Sequence, residues 1–121
     1  MLAVDLAWVL DVAQKAGVAD PAPEDLGVAI GAVERHGAQL MGRPVYNGAF
    51  VRAAALAHGL SLNWLERSNV RVAATCAVRY LHEAGVPVRP DKEGVARLTA
   101  ELLDPQRTAQ SIADTLRSLP R

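Results

Sequence analysis

The sequence has 121 residues, of which 50% are hydrophobic and 4% aromatic, and its 13 basic residues balance 13 acidic ones. A chain of this length forms one domain, and a core of Ala, Val and Leu favours closely packed helices over a sheet. The neutral charge balance lacks the basic field that usually drives nucleic-acid binding. Cys76, the single cysteine, excludes an internal disulfide framework and is typical of a reducing compartment.

The first seventeen residues do not have the pattern of a secretion signal. They carry Asp5, Asp11 and Lys15 instead of a basic start followed by an apolar centre. No apolar run elsewhere is long enough to cross a bilayer. We therefore expect a cytoplasmic protein that contacts neither membrane nor nucleic acid.

Helical periodicity predicts the first two elements. Apolar residues at three- and four-residue steps predict an amphipathic helix over about residues 5–16. Pro23 suits the first position of a second helix, which would carry Glu24 and Asp25 in its first turn. That helix is predicted to fray near residues 37–41.

The flap, residues 42–48, is the one stretch with turn and strand character. Asn47-Gly48 is a turn signal, and Pro44 disfavours a central strand. We predict a short exposed loop or hairpin here. A third helix follows, and its alanine density from residue 49 to residue 60 implies a close neighbouring helix.

The segment after Ser68 is predicted to be the central helix of the fold, because its apolar arc is broad. Gly85 marks its end, and Asp91 is placed to cap the next helix. A final apolar stripe predicts a helix that reaches Leu119. The predicted fold is an all-α, compact bundle of about six helices that forms one domain over residues 1–121.

The corner, residues 62–71, connects the third helix to the central one and allows several interpretations. In a structural interpretation Ser68 caps the central helix, Asn69 bonds the local backbone and Arg71 is a solvated charge. In a functional one, the free backbone N–H groups and the Arg71 guanidinium hold a phosphate. A helix–turn–helix DNA reader with residues 69–79 as its recognition helix is a weaker third interpretation, because that helix is too apolar for a DNA groove.

The corner resembles the motif H-x-F-x-D/E-G/A-N-K/R-R of the Fic/Doc family, and specifically of its small Doc (death-on-curing) toxins. Arg71 matches the final arginine and Asn69 the asparagine, while Ser68 stands at the small-residue position and Leu65 at the phenylalanine. The resemblance extends over most of the chain, and three further segments carry it: residues 53–60, 80–88 and 111–117.

This resemblance implies the toxin of a toxin–antitoxin system, which transfers AMP or phosphate from ATP with Mg²⁺ to a hydroxyl of a host protein. In Doc the target is the translation elongation factor Tu. It also implies a small antitoxin partner whose helix packs over the site. Nucleotide or phosphate binding would fall to Ser68, Asn69, Arg71 and Arg67, and the flap residues Val45 and Tyr46 would align the target segment.

Three functional positions of the motif differ from the family pattern. Asn63 stands at the place of the histidine base, and a carboxamide has no useful basicity near neutral pH. Arg67 replaces the acidic residue that holds the metal, which leaves Glu66 as a candidate ligand beside it. Val70 replaces the basic residue after the asparagine. The alternative function is therefore a catalytically dead Fic-fold pseudoenzyme that acts as a protein-binding module, with Trp64 filling the emptied pocket.

The histidines and the cysteine offer few other sites. His58 is a displaced candidate for the base, although a packing role is more usual for a histidine on an alanine-rich helix. His36 is expected to be a cation that offsets the dipole at a helix end, and His82 to lie on a wet face. The spacing of the histidines predicts no zinc site. We expect Cys76 to be a small buried apolar residue and not a nucleophile.

Overall fold

A computed structural model describes residues 2–121. Within this range the chain forms six α-helices and one two-stranded antiparallel hairpin, so the prediction of an all-α bundle of about six helices is confirmed. The elements in order are α1 (Leu6–Ala16), α2 (Leu26–His36), β1 (Gln39–Leu40), β2 (Arg43–Pro44), α3 (Ala49–Leu60), α4 (Asn69–Glu83), α5 (Lys92–Leu103) and α6 (Ala109–Arg117).

Helices α3 and α4 share the centre of the molecule. Helix α3 packs against α2, α4 and α6, whereas α4 packs against α1, α3 and α5. The close neighbour predicted for α3 is α2, because a Cβ atom built on Gly59 would lie only 2.5 Å from the Cβ of Ala32. Small side chains thus let these two backbones approach closely, and the apolar core forms along α3 and α4.

Side-chain caps begin three of the six helices, namely α1, α5 and α6. The carboxylate of Asp5 accepts from the Trp8 amide at 2.9 Å, and that of Asp91 accepts from the Gly94 amide at 2.7 Å. Thr108 and Ser111 form a reciprocal capping box at the start of α6. Gly85 adopts a φ of 83° just after α4, in the left-handed region that glycine favours.

The predicted start of α2 is wrong. The helix begins at Leu26, so Glu24 and Asp25 precede it and do not form its first turn. Their backbone N–H groups both donate to the carbonyl of Trp64, at 2.8 and 3.0 Å. Pro23 forms an isolated antiparallel bridge with Leu65. Tertiary hydrogen bonds to the corner therefore hold this segment extended, against its local helical signals.

A hairpin, one of the two forms predicted for residues 42–48, is present, but it spans residues 39–44 and its turn lies upstream of the Asn47-Gly48 signal. Gln39 pairs with Pro44 and Leu40 with Arg43, so the turn falls on Met41 and Gly42. Both turn residues have positive φ, at 53° and 78°, as a tight hairpin turn requires. Gly48, with a φ of 98°, instead provides the entry to α3.

His36 is buried and uncharged, which corrects the expectation of a cation at this helix end. Only 3% of the residue is exposed, and its ring packs edge-on against Tyr80. Nδ1 bonds the carbonyl of Val33, and Nε2 accepts from the Val4 amide at 3.3 Å. Both bonds together require the neutral imidazole with its proton on Nδ1. Burial is the largest cause that lowers the pKa of His36 below its usual 6.5.

Acidification should therefore destabilise the fold. Below about pH 6.5 the unfolded imidazole takes up a proton that the folded one does not, so the free energy of unfolding falls as the pH is lowered. Urea unfolding at pH 7.5 and 5.5 measures this loss. The His36→Gln variant should show a flatter pH dependence than the wild type. Equal slopes for the two proteins would contradict this assignment.

Residues 2–121 include no helix with both the length and the hydropathy that a membrane span needs. Helix α4, at 15 residues, is the longest in this range.

Candidate functional site

The corner between α3 and α4 is built around Ser68 in a left-handed conformation, with a φ of 69°. Ser68 occupies the N-cap position of α4, but its side chain makes no capping bond. Its hydroxyl oxygen instead accepts from the Val18 amide at 3.1 Å, in the segment after α1. The side chain predicted to cap α4 thus binds the α1–α2 connection.

The side chain of Asn69 holds the corner's own backbone. Oδ1 accepts from the amides of Trp64 at 3.2 Å and Leu65 at 2.9 Å, and Nδ2 donates to the Leu65 carbonyl at 3.0 Å. These bonds match the structural interpretation, in which Asn69 bonds the local backbone. Because both the oxygen and the nitrogen of the carboxamide are hydrogen-bonded, Asn69 fixes the backbone of residues 64 and 65 against the start of α4.

Arg71 and Arg67 bind the end of α1 and the loop after it. Nε of Arg71 donates to the Ala16 carbonyl at 2.7 Å, so the guanidinium covers one of the free carbonyls at the C-terminus of α1. Nη1 of Arg67 donates to the carbonyls of Val18 at 3.2 Å and Ala19 at 3.4 Å. Arg71 is therefore an exposed but anchored charge, not a freely solvated one.

Trp64 fills the interior of the corner. The residue is completely buried, and its indole N–H donates to the Leu60 carbonyl at 3.1 Å. Leu65, at the position of the motif phenylalanine, is also buried. Asn63, at the place of the motif histidine, is exposed. The side chains of Trp64 and Leu65 thus fill the space beneath the corner.

The carboxylate of Glu66 is already engaged by groups of the chain itself. Its Oε1 accepts from the Ala22 amide at 3.0 Å and pairs with Nη1 of Arg67 at 3.0 Å. In the described part of the chain, no group of three histidine, cysteine or acidic side chains is placed to hold a metal ion. Because Mg²⁺ needs oxygen ligands that a guanidinium cannot supply, the corner does not fit a magnesium-bound nucleotide.

The imidazole of His58 bonds towards the flap, through Arg35, and not towards the corner. Its Nδ1 lies 2.6 Å from Nη1 of Arg35, and Nε of Arg35 donates to the Tyr46 hydroxyl at 2.7 Å. Burial, followed by the charges of Arg35 and Arg107, lowers the pKa of His58. Since the arginine can only donate, Nδ1 is the acceptor and the imidazole is neutral.

The two flap residues have different surroundings. Tyr46 is half-buried, and the Arg35 guanidinium lies 5.4 Å from the centre of its ring. Val45 is 53% exposed and donates its amide to the Ala38 carbonyl at 2.9 Å. The neighbouring hairpin carries Leu40 and Met41, which are 70% and 95% exposed. Tyr46 thus anchors the base of a hairpin whose tip is apolar and open to water.

A groove between α4 and α5, with a volume of about 650 Å³, was not foreseen from the sequence. Its apolar lining comes from both helices: Val70, Ala74, Val78, Val95, Leu98 and Leu103. The signal was present, because the α4 residues recur at four-residue steps outside the arc assigned to the core. Arg71 lies at this groove as well as at the corner.

Cys76 is fully buried, and burial raises the pKa of its thiol to about 12. It is a packing residue, as predicted.

No protein-family model, curated protein or solved structure matched the chain when it was compared with each. The Fic/Doc resemblance thus remains a prediction carried by the motif and the segments quoted above.

Proposed function

We propose that the chain is a non-catalytic binding module, in which a Fic/Doc-like corner has become a structural element. The observation that carries the proposal is the closure of the corner. Trp64 is completely buried beneath it, and the side chains of Ser68, Asn69 and Arg71 all bond backbone groups of the chain itself.

The chemistry available at the corner supports the same conclusion. Transfer to a hydroxyl needs a group that accepts its proton, and the Asn63 carboxamide is not basic enough. It also needs a metal or a cluster of cations to neutralise the phosphates. Glu66 is paired with Arg67, and Arg67 with α1-loop carbonyls, so neither side chain is positioned for that task.

The hairpin is the proposed binding surface. The sheet has only two strands, so the outer edge of β1 has no partner strand within residues 2–121 and offers backbone groups to which an extended partner segment can add, whereas Pro44 leaves β2 without a donor N–H at that position. Leu40 and Met41 supply exposed apolar contacts beside that edge. Strand addition uses these two features together, namely main-chain bonds for affinity and side-chain contacts for specificity.

The charges next to the hairpin indicate an acidic partner. Arg35 and Arg52 are half-buried, and neither forms an ion pair within residues 2–121. Arg35 and Arg52 both bind Tyr46, through its hydroxyl and its carbonyl. A partner with carboxylates would supply the missing counter-charge, as a small acidic antitoxin-like protein would.

The experiment is co-expression with the product of the neighbouring open reading frame, followed by measurement of the complex's affinity. We expect Leu40→Asp and Met41→Asp to weaken the complex at least tenfold, because each places a charge on the apolar contact. The control is Val18→Asp on the α1–α2 loop, another exposed apolar residue, at 53% exposure. If only Val18→Asp lost binding, the partner would bind near the corner, and the hairpin would not be the binding surface.

A toxin enzyme gives a different set of results. Titration of ATP with Mg²⁺ into the protein is expected to release no heat of binding. Three results together would overturn the non-catalytic proposal. Expression of the protein would arrest growth, a target protein would gain the mass of AMP or phosphate, and the double variant Asn69→Ala with Arg71→Ala would relieve the arrest. Those substitutions must be shown to fold, since both residues hold the corner together.

A further inference from the structure

The groove between α4 and α5 has the dimensions of a small-molecule site. Its volume of about 650 Å³ lies within the range of about 300–1,000 Å³ typical of ligand pockets. The contributing residues of α4 extend from Val70 to Val78, which is about 12 Å along a helix. The groove is therefore long enough for an alkyl chain of medium length.

The walls of the groove are aliphatic and partly exposed to solvent. Val95 is 50% exposed and Leu103 is 64% exposed, so apolar surface on α5 remains in contact with water. Covering such surface with an alkyl chain is favourable in proportion to the area removed from water. The lining offers few polar groups for the edges of a base or for a ribose, which makes it a poor nucleotide site.

Arg71 gives the groove a single charge. Its Nε is fixed by the Ala16 carbonyl at 2.7 Å, whereas its two terminal nitrogens make no hydrogen bond and no ion pair within the described residues. A guanidinium held in this way is already oriented, and its fork matches a carboxylate. One cation beside an aliphatic trough is complementary to one anion with an apolar tail.

We propose that the α4–α5 groove binds a small amphiphilic anion, namely a monocarboxylate with an unbranched alkyl tail of medium length. The carboxylate bonds the terminal nitrogens of Arg71, and the tail lies along Val70, Ala74 and Val78 against Leu98. This site is separate from the hairpin surface, so it holds whether or not a partner protein binds there.

Decanoate, below its micelle concentration, is the probe, and the amide shifts of the isotopically labelled full chain are the measurement. We expect saturable shifts in α4 and α5 and at the end of α1, which Arg71 contacts. Arg71→Gln should weaken decanoate about ten- to a hundredfold, because a charged hydrogen bond is lost, and should leave the uncharged analogue decanol unchanged. Arg43→Gln, on the exposed hairpin, is the matched control and should bind decanoate as the wild type does.

A second variant tests the apolar wall without touching the corner. Val95→Asp adds a carboxylate at a half-exposed position of α5, so it should weaken decanoate more than decanol. Equal affinity of wild type and Arg71→Gln for decanoate would overturn the proposal, as would shifts that leave α4 and α5 unaffected. If ATP shifted the same amides and bound more tightly than decanoate, the groove would be a nucleotide site and the proposal would be wrong. If raising the protein concentration alone gave the same shifts, the occupant would be a second copy of the chain.

Discussion

Replacing Trp64 by alanine is expected to lower the free energy of unfolding by about 3–5 kcal/mol, the largest effect of any single substitution considered. Trp64 has no exposed surface, so the change removes the whole indole from the core and leaves a cavity behind the corner. It also removes the donor to the Leu60 carbonyl. Urea unfolding followed by circular dichroism measures the change without relying on tryptophan fluorescence.

Trp8→Ala is the matched control for that experiment. Trp8 is half-buried on α1, where its indole N–H donates to Glu83 at 2.9 Å and the Arg79 guanidinium lies 5.3 Å from the ring centre. Its loss should cost about 1–2 kcal/mol, because less apolar area returns to water. If Trp64→Ala cost no more than Trp8→Ala, the corner would not depend on its tryptophan, and the closed corner behind the proposed function would be wrong.

Asn69→Ala is expected to cost about 2–3 kcal/mol. The substitution leaves two amides and one carbonyl of residues 64 and 65 without their partner, and each unpaired group in a part-buried position is costly. Asn69→Asp keeps the acceptor for both amides but places a carboxylate oxygen against the Leu65 carbonyl, so it should recover only part of the stability. The same unfolding measurement ranks the variants.

Asn63→Ala provides the comparison within the same turn. Asn63 is exposed, so its removal should change the free energy of unfolding by less than about 0.5 kcal/mol. A ligand-binding role for Asn69 without a structural one would give the opposite pattern, in which Asn69→Ala unfolds like the wild type and differs only in binding. That result would reopen the corner as a phosphate site.

Local signals predicted those parts of the fold that depend on nearby residues. Helix α3 begins at Ala49 and ends at Leu60, over the alanine-rich stretch assigned to it, and Asp91 caps α5 as expected. Both depend on contacts within a few residues, which periodicity and capping preferences describe.

Long-range contacts explain what the sequence did not reveal. Nothing local shows that the amides of Glu24 and Asp25 bond the carbonyl of Trp64, which is why α2 starts late. The burial of His36 arises from Tyr80 on another helix. At the candidate site, the motif pattern located the corner, but the partners of Ser68, Arg67 and Arg71 lie at the end of α1 and in the α1–α2 connection, which no local signal reveals.

The bonds between the corner and α1 also bear on the order in which the chain folds. Arg71 and Ala16 are 55 positions apart, and Ser68 and Val18 are 50 apart. Because closing loops of that size costs more entropy than forming neighbouring helix pairs, we expect α1 to dock after the local helix pairs have formed. In native-state hydrogen exchange, the amides of α1 should then open at lower free energy than those of α3, and removal of the Arg71 guanidinium should widen that gap.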